Sequence, residues 1–182
     1  MRSGPAPGSG DAAAPRPLRA VDAAPVRPAM AAASAWSDQV RLTYLEVRGP
    51  LWRALVAWSG DVDVADEAGS EAFAQLLRRG DEVSDPAAWV WRAAFRVAAG
   101  DLQRRRGRAR RGADPEALEL LPSATDRLPD DALDLVAALQ ALTDPQRHCI
   151  ALVDVAGHTA PSAAELLRTS AATGRVQLMR AR

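Results

Sequence analysis

Residues 165–182 read ELLRTSAATGRVQLMRAR. A helix over about Ala160–Leu167, a short break, and a second helix from Ala171 onward with Ser170 as its cap make the shape of a helix-turn-helix. With Ala164 taken as the small residue of the first helix, Arg168 falls at the turn. The backbone there is expected to be left-handed, which costs a non-glycine residue roughly 1–2 kcal/mol. Gly174 falls where an aliphatic side chain would pack between the helices, a loss of about 1 kcal/mol in helix propensity alone. Val176 and Met179 are expected to supply part of the missing packing. Arg168, Arg175, Arg180 and Arg182, with no acid after Glu165, form a basic tail that attracts phosphate. The expectation is weak DNA binding with relaxed base reading.

Working outward, two further helical segments precede this pair in the same domain. The segment 131–142 is one, and 145–156, with Pro145 in its first turn, is another. Residues 107–129 mix Gly107, Gly112, Pro115, Pro122 and Pro129 with Asp114, Glu116, Glu119 and Asp126, which reads as an acidic linker between two domains. The second domain is therefore expected over 130–182.

The first domain is expected over 36–106. Val40, Tyr44, Val47, Leu51, Leu55 and Trp58 recur at helical spacing, with Gly49 and Pro50 predicting a kink or a fresh start. A second helix fits 64–79, opened by Asp61 or Asp63 and closed by Gly80. A third follows Asp85, with Pro86 in its first turn. No period-two alternation persists anywhere, so the fold class is all-α, with two small helical domains. Residues 1–35 hold twelve alanines and six prolines with no aromatic residue, and are expected to form a disordered arm.

Charge is segregated although the formal net charge is zero. From Asp61 to Asp85 eight acids face only Arg78 and Arg79, whereas from Pro86 to Gly112 eight arginines face only Asp101. An arginine-rich helix suits a phosphate backbone, because each neutralised phosphate releases counterions. The acidic helix needs a different, protein partner. Trp89 and Trp91, two residues apart, point to different faces, so one can be core while the other offers a stacking platform for unpaired bases.

Other chemistries find little support. His148 and His158 are the only histidines and neither has a partner at triad or metal-ligand spacing, so no enzyme activity, metal or cofactor is expected. The single cysteine, Cys149, lies in an apolar stretch and reads as a small buried hydrophobe. No apolar run approaches the roughly 18 residues of a membrane helix, which predicts a cytoplasmic protein without membrane insertion of its own.

The stretches ADEAGSEAFAQLLRRGDEVSDPAAWVWRAAFRVAAGDLQRRR and LPDDALDLVAALQALTDPQRHCIALVDVAGHTAPSAAELLRTSAATGRVQLMRAR resemble the second and fourth conserved regions of sigma-70-type transcription initiation factors. The group is the extracytoplasmic-function (ECF) one, which keeps only those two regions. The resemblance implies a transcription initiation factor that binds core RNA polymerase, directs it to promoter DNA, and is held silent by an anti-sigma factor. Asp66, Glu67, Glu71 and Phe73 would then dock on the polymerase. The loop from Arg79 to Asp85, with Arg79, Asp81 and Glu82, would capture a flipped base of the minus-10 element, and Trp89, Trp91, Arg92, Arg96, Arg104 and Arg105 would hold the melted strand and adjoining duplex. Ala171, Thr173, Arg175, Gln177 and Arg180 would meet the minus-35 element. Departures from the family pattern are Ser70 for glutamine, Arg96 for asparagine, and Asp101 one residue late. Two alternatives remain open: a stand-alone helix-turn-helix regulator, and a degenerate sigma-like protein that titrates polymerase or an inhibitor.

Overall fold

The computed structural model describes residues 26–110 and 128–182, with side chains over 34–108 and 128–182. Residues 1–25 of the expected arm, 1–35, and residues 111–127 of the expected linker, 107–129, lie outside the described residues. The described chain is helical, with no strand among the described residues: α1 Val26–Ser59, α2 Val62–Arg79, α3 Pro86–Arg110, α4 Asp130–Gln140, α5 Asp144–Ile150, α6 Ala160–Leu166 and α7 Ala171–Ala181. A 3-10 turn at Gly80–Glu82 links α2 to α3, and a π-helical stretch Ala151–Val155 extends α5. The all-α expectation is therefore met.

Helices α1, α2 and α3 pack on one another as a three-helix unit. Val40, Val47, Leu51, Leu55 and Trp58 are buried along α1 at the expected spacing, whereas Tyr44 stays half exposed. The fresh start expected in α1 is corrected. The helix is continuous through Gly49 and Pro50, because Leu51, Ala54 and Leu55 are completely buried just beyond and this packing outweighs the roughly 3 kcal/mol that an interior proline costs. It also begins at Val26, inside the stretch expected to be an arm. Alanine is the strongest helix former, and the alanine-rich run that looked too poor in apolar surface to order continues the helix that packing has nucleated.

The ends of α2 follow local rules. One carboxylate oxygen of Asp61 accepts from the backbone N–H groups of Asp63 (2.8 Å) and Val64 (3.1 Å), and Gly80 closes the helix at φ 70°. The other Asp61 oxygen accepts from Arg105 at 2.7 Å, tying the start of α2 to the far end of α3. At the start of α3 the Asp85 carboxylate accepts from the Ala88 N–H at 2.9 Å.

In the second unit, the side-chain oxygen of Gln146 accepts from the Thr143 N–H (3.1 Å) ahead of α5. The Thr159 hydroxyl accepts from the Ser162 N–H (3.3 Å) ahead of α6, and the Ser170 hydroxyl from the Thr173 N–H (3.0 Å) ahead of α7. Between α6 and α7, Arg168 has φ 53° and is the only non-glycine residue with positive φ among the described residues, where the sequence placed the left-handed turn. Gly174 is buried against α6, with Leu178 beside it on the inner face of α7.

The two units share one continuous core. Trp58 of α1 stacks on His148 of α5 with ring centres 4.5 Å apart, and Phe95 of α3 lies 5.2 Å from the same imidazole. Trp91 of α3 meets His158 edge-on at 4.5 Å. The Gln140 amide reaches the Ala57 and Trp58 carbonyls, both at 3.4 Å. Both histidines thus lie on the seam between the units, and burial pushes the His148 imidazole down to about 4 and lowers that of His158.

Candidate nucleic-acid interface

The acidic face sits on α2. Glu67 is exposed, while Asp66 accepts a hydrogen bond from the Trp52 indole N–H at 2.8 Å. Glu71 accepts from Gln75 at 2.8 Å and from Arg78 at 2.7 Å, and these contacts, the Gln75 hydrogen bond foremost, hold its carboxyl below the usual carboxylate range. Phe73 does not belong to this face. It is buried, its ring edge-on to Tyr44 at 5.0 Å, because its position on α2 points to α1. An aromatic side chain beside acids in sequence need not share their face when helical phase turns it inward.

Between the 3-10 turn and the start of α3 lies a cavity of about 200 Å³ lined by Arg79, Glu82, Val83, Ser84, Asp85, Trp89 and Arg92. The Arg79 guanidinium lies over the Trp89 ring at 5.9 Å, a cation–π contact that holds one wall of the cavity. Four of the sequence-nominated residues, Arg79, Glu82, Trp89 and Arg92, thus come together, while Asp81 is exposed and does not line the cavity. Val83, Ser84 and Asp85 lie within the nominated loop from Arg79 to Asp85 but were given no individual role; they reach the cavity wall because the turn folds back on α3.

Trp91 is the core member of the tryptophan pair, 5% exposed and packed against Phe95 and His158. It presents no stacking surface for a base in this arrangement. Arg96 is exposed on α3, on the wall of a groove of about 560 Å³ whose opposite wall carries Glu67 and Glu71 of α2. Arg104 and Arg105 are less free than the sequence implied. Both pair with the buried Asp101, at 3.2 and 2.7 Å, and Arg105 also holds Asp61, so its charge is spent on fastening α2 to α3.

On α7, Thr173, Arg175 and Arg180 are exposed, and Ala171 and Gln177 are half-buried. The Thr173 hydroxyl lies 2.8 Å from that of Ser170. The expectation that Val176 and Met179 fill the space left by Gly174 is corrected: they are 40% and 74% exposed and face outward with the arginines. The space is closed by approach of the helices, since a Cβ built on Gly174 would lie 3.7 Å from the Ala164 Cβ. Arg182 is likewise not free for phosphate, because Asp154 pairs with it and raises its pKa.

Neither histidine stands in a catalytic constellation. His158 Nδ1 lies 3.4 Å from the Ser162 hydroxyl oxygen, His148 hydrogen-bonds the Asp144 backbone, and both imidazoles pack on aromatic rings. Among the described residues no group of three or more His, Cys, Asp or Glu side chains is placed to hold a metal ion, and no helix is long and apolar enough to cross a membrane.

Compared with known proteins, the chain matches no protein-family model and no curated protein. Solved structures do match its fold. CnrH, in its complex with the cytosolic domain of CnrY, is 20% identical, with a TM-score of 0.61 over 85% of this chain and 89% of that one. The sigma factor RpoE from Bartonella quintana, in its complex with the anti-sigma factor NepR, is 21% identical, with a TM-score of 0.62 over 80% of this chain and 92% of that one. Two helical units, the order of their helices and the likeness to these two structures together place this chain in the fold of the ECF sigma factors of the sigma-70 type.

Proposed function

We propose that this chain is a transcription initiation factor that binds core RNA polymerase and directs it to promoters. The observation that carries the reading is the separation of charge on a sigma-factor fold: an acidic α2 beside a basic α3 that opens with a half-exposed Trp89 next to a loop-bounded cavity. Acids on α2 would be repelled by DNA and suit a basic protein surface, with Glu67 the most available of them and Asp66 and Glu71 flanking it. The cavity beside the 3-10 turn has the size and walls to take one unstacked base, with the Trp89 indole for stacking and Arg79 and Arg92 for phosphates. Residues 36–106 would act as the minus-10 unit. Residues 130–182 would act as the minus-35 unit, with the outer face of α7 in the major groove.

Such a factor performs no chemistry of its own and works in the cytoplasm. Since both matched structures are complexes with a partner, CnrY for CnrH and an anti-sigma factor for RpoE, an inhibitory partner protein is part of the proposal. The decisive experiment is binding of the full chain to bacterial core RNA polymerase, wild type beside Glu67→Arg. Glu67 makes no side-chain hydrogen bond or ion pair among the described residues, so the variant should fold normally and bind at least tenfold more weakly. Undiminished binding by the variant would remove the acidic face from the interface. No binding by the wild type, with salt-sensitive duplex binding retained, would make the chain a stand-alone DNA-binding regulator.

A further inference from the structure

Where α3 passes the α6–α7 turn, the two units enclose a second cavity of about 490 Å³. Trp89, Arg92, Phe95 and Arg96 line it from α3, and Leu167 and Arg168 from the other side. No acid lines it, and none of the three guanidiniums is ion-paired with a carboxylate of the described residues. Three like charges around one concave space focus a positive potential that favours an anion, although Arg96 also borders the groove that carries Glu67 and Glu71. The apolar part of the wall is aromatic and aliphatic, and the volume lies within the usual range for a small-molecule site.

A second, independent observation points to the same place. Arg168 is held at φ 53°, at a turn position that glycine fills without strain. The turn is closed by backbone bonds that any residue would make, Arg168 N–H to Glu165 O at 3.1 Å and Thr169 N–H to Ala164 O at 2.9 Å. The left-handed backbone is what closes the turn, and glycine would make the same bonds without strain. The turn therefore needs the conformation but not an arginine side chain, and a strained residue tends to persist where its side chain has work to do; the Arg168 side chain lies on the cavity wall.

We propose that this cavity binds a nucleotide, its base against Trp89 and its phosphates among Arg92, Arg96 and Arg168. Planar guanidiniums match phosphate oxygens, and a π-face accepts any base. The ligand touches both units and so fastens them in the closed arrangement. Trp89 and Arg92 also border the cavity beside the 3-10 turn, so the same chemistry could be presented by a free nucleotide or by an unpaired strand running between the two cavities. The site stands on the cavity and on Arg168, whether or not the chain engages polymerase.

The test is calorimetric titration and thermal melting of the full chain with ATP, GTP, tripolyphosphate and a six-nucleotide single-stranded DNA, for wild type and Arg168→Gly. The variant relieves the left-handed strain, so it should melt higher than wild type on its own while binding about tenfold more weakly, the loss expected for one charge-assisted contact. Misfolding thus cannot imitate the result. Arg168-dependent binding of ATP or GTP, tighter than that of tripolyphosphate, supports a free nucleotide. Arg168-dependent binding of the oligonucleotide alone supports the same site filled by a strand. Equal binding by wild type and Arg168→Gly, or no binding of any probe, overturns the proposal, as does tripolyphosphate binding as tightly as the nucleotides.

Discussion

Arg168 stands where the turn favours glycine and Gly174 where the helix pair favours an aliphatic side chain, and each can be corrected singly. A left-handed arginine costs roughly 1–2 kcal/mol, partly offset because glycine gains freedom in the unfolded chain, so Arg168→Gly should stabilise by about 0.5–1 kcal/mol net. For a chain of this size that is a rise of about 2 °C in Tm, readable by differential scanning calorimetry. At Gly174 an added methyl would sit in ordinary contact, 3.7 Å from the Ala164 Cβ and 3.9 Å from the Ala160 carbonyl oxygen, so Gly174→Ala should stabilise by about 1 kcal/mol. Gly174→Leu should destabilise, because the helices have already closed on the space a larger side chain would need. A midpoint in urea that rises with residue size at position 174 would show that α6 and α7 sit further apart than described here.

Among the elements, α2 and α3 are joined by a small network whose members come from opposite ends of the pair. Asp61 caps α2 and receives Arg105, which also holds the buried Asp101. Asp61→Ala removes both the cap and one ion-pair partner, and should lower stability by about 1–2 kcal/mol. Asp61→Ser keeps a capping oxygen, so it should recover most of that loss and show that the cap outweighs the half-exposed ion pair. If chemical denaturation instead ranks the serine and alanine variants together, the ion pair is the larger contributor. The same network explains why counting arginines overstated the DNA-facing charge of α3: one of them is committed to holding its neighbour.

For the whole molecule, the seam between the units makes stability depend on pH. His148 lies between Trp58 and Phe95, and loss of hydration there outweighs the favourable pull of Asp144, so its folded pKa is about 4 against an ordinary 6.5. The folded state keeps the imidazole neutral while the unfolded chain takes up a proton below about pH 6.5. Stability is therefore fully present above that pH and is lost as pH falls from 6.5 toward 4. The loss from this one group between pH 7 and pH 5 is on the order of 2 kcal/mol. His158, lowered in the same direction against Trp91, adds to it. Urea unfolding at pH 7 and pH 5 should show a drop in midpoint that His148→Gln reduces, since glutamine does not titrate. A drop of equal size in that variant would assign the pH dependence to the carboxylates instead.

What the sequence by itself determined was local. Helical period, the caps at Asp61, Asp85 and Ser170, the stop at Gly80 and the left-handed turn at Arg168 all depend on residues within one or two turns of each other, whose preferences need no distant partner. The tertiary structure decided what depends on separation in the chain. Helical phase against α1 buried Phe73, and contact with His158 made Trp91 rather than Trp89 the core tryptophan. Asp61, 44 residues away, recruited Arg105, and the closing of the second unit on α1 and α3 set both histidines against aromatic rings of the first. Local preferences are worth a few tenths to about 1 kcal/mol per residue and can be read along the chain. The burial of a large side chain is worth more, and which one is buried is settled only when the distant surface that covers it is in place.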